Sequence, residues 1–137
     1  MKTTRHKYDI VILGAGCSGM LLSFFLSNQK TKHKKKILLI EKNQSFVFAK
    51  TWCFWEENSF NTFNDCISNS WNNWVLCKNN KNILKNSESY QYNQIKSIDF
   101  FKFIEKIIKN DGNFEFIQGL EIANDSIKKN KISFNNY

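Results

Sequence analysis

The first apolar stretch of the chain is a short, mostly β-branched run, Ile10, Val11, Ile12 and Leu13, which suits a strand buried on both faces of a parallel sheet. It stops at three spaced glycines, and a helical stretch follows from about Cys17 through Leu26. The polar segment Ser27 to Lys35 then leads to a second apolar run, Lys36 to Ile40, closed by Glu41. Strand, helix and strand over about thirty residues make the minimal βαβ unit, whose crossover is expected to be right-handed.

From residue 44 to 96 the pattern changes to short aromatic and Asn-rich segments without long helical periodicity. Thr51 to Glu57, TWCFWEE, is a dense aromatic knot; Trp71 to Lys78 reads as a strand, and Ile83 to Tyr92 as one or two more. Together they predict an antiparallel layer outside the parallel sheet, with its aromatics serving a core. Ser97 can cap the helix that follows, SIDFFKFIEKIIKNDG, in which Ile98, Phe101, Ile104, Ile107 and Ile108 share a face and Asn110 to Gly112 supply the stop. Phe114 to Ile117 reads as a further parallel strand, and residues 120–134 as a hairpin interrupted by polar Asp125 to Asn130. Three segments result: a βαβ unit at 1–43, a β insertion at 44–96, and a return to the first layer at 97–137.

The glycines give the first segment its chemistry. Gly14, Gly16 and Gly19 match GxGxxG between strand and helix: the first permits a tight turn, the second lets a pyrophosphate approach the backbone, and the third lets helix and strand pack closely. The helix N-terminus aims its free N–H groups and positive dipole end at the phosphates. Glu41 lies 41 − 19 = 22 positions beyond the last glycine, where an acid at the end of the second strand accepts from the adenosine ribose hydroxyls. Its carboxylate repels a 2′-phosphate, so NADP is disfavoured in this first site and FAD or NAD remains. The fold class is therefore α/β: a Rossmann-like FAD/NAD(P)-binding fold with a parallel sheet plus an antiparallel β insertion.

Composition changes this picture little. With 137 residues the chain can build a core but is short for a complete dinucleotide enzyme, so an N-terminal part of a longer protein is expected, as the uncapped ending NNY also suggests. The net charge of +8 is concentrated in Lys30 to Lys36, KTKHKKK, yet Lys, Asn, Ile and Phe are abundant throughout and Pro is absent, which reads as a global bias rather than nucleic-acid binding. Cys17, Cys53, Cys66 and Cys77 form no CxxC pair and lie far from His6 and His33, so no metal site is expected. No apolar leader precedes the first strand and no run approaches the roughly 18 apolar residues of a membrane span, so a reducing cytoplasm is the expected compartment.

GAGCSG, KILLIEK, KTWCFWEE and YQYNQIKSIDFFKF together resemble the N-terminal part of the flavin-dependent lycopene cyclases of bacteria, from about Tyr8 to Lys109. TWCFW is the discriminating stretch, since the glycine motif is shared by many flavoproteins. The resemblance implies cyclisation of lycopene ends to β-ionone rings without net redox change. It also implies that an acidic residue protonates the terminal double bond and that FAD, reduced by NADPH, stabilises the carbocation. Carried onto this chain, Gly14, Ala15, Gly16, Cys17, Ser18 and Gly19 would hold the pyrophosphate, Glu41 the ribose, and Lys42 would lie near the adenine. A lipid-soluble carotenoid substrate implies contact with the inner face of the membrane, to which Lys30 to Lys36 would contribute about 1 kcal/mol per residue on an anionic surface.

Two departures stand out. NQSFVFAK replaces the Gly-Gly pair that many flavoproteins carry after this acid, leaving the second phosphate contact unassigned. The family's acidic catalytic motifs and second flavin segment have no counterpart here, and Glu56 and Glu57, as neighbours on a strand, would face opposite ways. The catalytic acid is therefore unassigned. The alternatives are a flavin-dependent monooxygenase or prenyl reductase, which would consume NADPH stoichiometrically, and a non-catalytic nucleotide-binding module, which would purify colourless.

Overall fold

A computed structural model describes residues 6–29, 35–46, 50–60, 62–123, 126–128 and 131–132. The chain divides into two compact units, Met1–Val47 with Ile104–Tyr137, and Phe48–Phe103.

In the first unit, β1 (Ile10–Leu13), β2 (Ile37–Glu41) and β8 (Phe114–Gln118) form a parallel sheet in the order β1-β2-β8. Ile10 pairs with Ile37 and Leu13 with Ile40, while Ile37 faces Phe114 and Glu41 faces Gln118. Every residue of β2 is buried, which is why a continuous apolar run is needed at the sheet's centre. β1 differs from its expected burial on both faces. Ile12 is buried, but Val11 and Leu13 are 38% and 46% exposed, because β1 is an edge strand of the described sheet and packs through one face.

The helix α1 (Cys17–Ser27) buries Met20, Ser23 and Phe24. Ser23 resolves its buried hydroxyl by donating to the Gly19 carbonyl one turn back, at 2.8 Å. Asp111, after the second helix, accepts from Ser27 at 2.9 Å and from the Asn113 backbone at 3.1 Å. The short strands β9 (Ile127–Lys128) and β10 (Lys131–Ile132) pair antiparallel within the expected hairpin. Of the basic run Lys30 to Lys36, residues 30–34 lie outside the described residues, as does the NNY ending.

The second unit holds β3 (Thr51–Glu57), β4 (Ile67–Trp71), β5 (Asn73–Lys78), β6 (Lys81–Asn86) and β7 (Tyr90–Lys96). All its pairings are antiparallel: β3-β7-β4 form one sheet and β5-β6 a separate hairpin. The segment Trp71 to Lys78, read from sequence as one strand, is therefore two. Trp71 closes β4 opposite Tyr92, and Asn73 opens β5 opposite Asn86. Asn79 and Asn80 both have positive φ, 47° and 59°, the left-handed pair that a two-residue hairpin turn requires and that Asn tolerates.

The aromatic knot separates by strand alternation. Trp52 lies 5.5 Å edge-on from both Phe100 and Phe101, whereas Trp55, half exposed, meets Trp74 at 4.6 Å and Tyr92 at 4.8 Å. Glu56 accepts from Asn93, which is 1% exposed, at 3.0 Å, and Glu57 is exposed, so the two carboxylates do face opposite ways. The helix α2 (Ser97–Lys109) runs through the boundary between the units. Its buried residues are Phe100, Phe101, Ile104 and Ile108, with Ile98 and Ile107 half-buried at the flanks of the expected face. Ser97, expected as a cap, exchanges bonds with Lys50: its N–H donates to the Lys50 carbonyl at 2.7 Å and its hydroxyl accepts from the Lys50 N–H at 2.8 Å.

Candidate dinucleotide-binding site

The carboxyl ends of all three parallel strands meet in the first unit: the glycine loop follows β1, Glu41 ends β2, and Gly119 follows β8. This is the edge of an open α/β sheet where ligands bind. Gly14 adopts φ +96°, a turn that a side chain would strain, and its N–H donates to the Ile40 carbonyl at 2.7 Å. Gly19 is required by packing, since an added Cβ would stand 2.0 Å from the Gly14 carbonyl oxygen. Gly16 satisfies neither reason. Its φ of −69° and ψ of −173° suit any residue, and an added Cβ would meet no protein atom within 4 Å. What its missing side chain leaves is open space in front of the helix, and this space fits the close approach of a pyrophosphate.

The start of α1 matches that space electrostatically. Gly16 occupies the N-cap position without a side-chain cap, and the first turn carries no acid. Its free N–H groups and positive dipole end are available to an anion. Cys17 and Ser18, the first two residues of the helix, are both exposed. Desolvation by the surrounding chain pushes the Cys17 thiol pKa up from its ordinary value.

Glu41 is 7% exposed and both oxygens of its carboxylate accept from the loops. Oε2 accepts from the Ala15 N–H at 2.7 Å; Oε1 accepts from the Asn43 N–H at 2.9 Å and from Asn43 Nδ2 at 2.7 Å. Ala15, expected among the phosphate contacts, is thus buried with its N–H turned to Glu41, linking the glycine loop to the acid. Lys42 is exposed beside it. Sequence reasoning did not single out two residues that complete this corner. Asn43 accepts from the Gly119 N–H at 3.3 Å, and Gly119, at φ +78°, leaves no room for a Cβ, which would lie 2.9 Å from Gln44 Cγ. A glycine directly after an apolar strand and an Asn two residues beyond the acid are the signals that point to them.

The family of lycopene cyclase proteins matches residues 9–125, which takes in the glycine loop, Glu41 and both units. This chain belongs to the lycopene cyclase family. Among solved structures, it resembles the crystal structure of pqsL, a probable FAD-dependent monooxygenase from Pseudomonas aeruginosa, with a TM-score of 0.63 and 11% identity. The likeness covers 85% of this chain and 34% of that one, so the chain spans about a third of that protein's length. At this identity it establishes the fold: a partial Rossmann-like α/β domain with a parallel sheet and antiparallel additions. No curated protein matches the chain. In this family member, no helix among the described residues is long and apolar enough to cross a membrane.

Proposed function

We propose that this chain is the FAD-binding N-terminal part of a lycopene cyclase, acting in the ring closure of lycopene ends. The observation that carries the reading is the open space at Gly16, set before an uncapped helix N-terminus and beside Glu41, in a member of the lycopene cyclase family. Backbone amides of Gly16, Cys17 and Ser18 would hold the pyrophosphate, and Glu41 the ribose. A flavin held there and reduced by NADPH would supply stabilisation of the carbocation formed on protonation of a terminal double bond. No residue of this chain is assigned as the proton donor. The substrate is a lipid-soluble carotenoid, reached by contact with the inner face of the membrane.

The test is expression of the entire reading frame in cells that accumulate lycopene, with carotenoids separated by chromatography and NADPH followed in lysate. Cyclic product without net NADPH oxidation is expected. Persistent lycopene overturns the cyclase reading, and NADPH oxidised in step with product moves the protein to the monooxygenases or reductases.

A further inference from the structure

We propose that Asn43 is a positioning residue of the nucleotide site: it clamps one oxygen of Glu41 so that the other, Oε2, is the atom offered to the ribose. The inference rests on the dinucleotide reading of the same corner and adds a residue to it. A carboxylate has about four acceptor positions, two on each oxygen. Asn43 fills both on Oε1, one with its backbone N–H and one with its side-chain amide, at 2.9 and 2.7 Å. Ala15 fills one on Oε2 at 2.7 Å, which leaves a single position, and it lies on Oε2.

Without the amide, Oε1 regains an open acceptor position and only the Ala15 and Asn43 N–H groups orient a carboxylate whose terminal torsion is broad. With it, the one open position belongs to the oxygen that Ala15 holds. Asn43 is held in turn, because its carbonyl accepts from the Gly119 N–H at the end of β8 while the Leu120 N–H donates to the Glu41 carbonyl at 3.1 Å. The clamp is therefore anchored on two strand ends. Asn43 itself is exposed, so burial does not compel its amide to bond.

Calorimetric titration with ADP and with 2′-deoxy-ADP separates this role from general support, since the two probes differ only in one ribose hydroxyl. Wild-type protein should prefer ADP by about tenfold, the effect of one hydrogen bond to a charged group. Glu41→Ala should remove the preference. Asn43→Ala should cut it to about two- to threefold while leaving 2′-deoxy-ADP binding unchanged, and Asn43→Ser, which keeps a short donor, should restore part of it. If Asn43→Ala keeps the full preference, or weakens both probes equally, the positioning role is wrong and the dinucleotide reading stands. Failure of the wild type to bind ADP would overturn that reading and the proposal with it. Should Asn43→Ala fail to fold, Asn43→Ser decides: an undiminished preference overturns the role, and a reduced one supports it.

Discussion

Two residues before β1, Tyr8 donates its hydroxyl to Glu115, while the Lys36 ammonium stands 4.9 Å over its ring. Burial, then the Glu115 hydrogen bond and its negative charge, push the phenol up to about 12 from an ordinary value of 10.0. A folded-state pKa above the unfolded one means stability fully present below pH 10 and lost as pH rises toward 12. Tyr8→Phe should flatten that part of the alkaline loss, read as melting temperature between pH 9 and 12, and remove a late-titrating component of tyrosinate absorbance. Glycine roles were legible at this scale because each follows from a local constraint: Gly14 from its turn and Gly19 from contact with the preceding strand. Asn43 and Tyr8 were not, because their partners are fixed by where the loops and strand starts fall after folding.

Among the elements, the junction of β1 and α1 gives two substitutions with opposite outcomes. Gly19→Ala gains helix propensity of at most about 1 kcal/mol. It must also displace the Gly14 carbonyl, which would lie 2.0 Å from the new Cβ, and overpacking against backbone outweighs that gain. A net loss of about 2 kcal/mol or more in chemical denaturation is expected. Gly16→Ala meets nothing within 4 Å, so stability should hold within about 0.5 kcal/mol. FAD affinity should nonetheless fall by at least about tenfold, measured by quenching of flavin fluorescence. Element type was readable wherever one period dominated, as in β2 and α2. The break between β4 and β5 was not, because Trp71 to Lys78 holds no glycine or proline to mark a turn and only strand pairing divides it.

At the level of the whole molecule, the sequence conveyed which segments build the parallel sheet and which the antiparallel layer, since continuous apolar runs and aromatic alternation have different periods. It did not convey that β1 would show one face to solvent, because a run of four apolar residues reads the same at the centre of a sheet and at its edge. That face has a consequence for how the protein behaves in the tube. Val11 and Leu13 on β1 are 38% and 46% exposed, and that strand is an edge of the described sheet. Against this short-range stickiness stands a net charge of +8, whose repulsion reaches about 10 Å at 0.1 M salt and about 3 Å at 1 M. Light scattering should therefore show self-association that grows with added salt, and Leu13→Lys should suppress it. The molecule is a charged colloid with an adhesive strand edge, kept dispersed by its lysines.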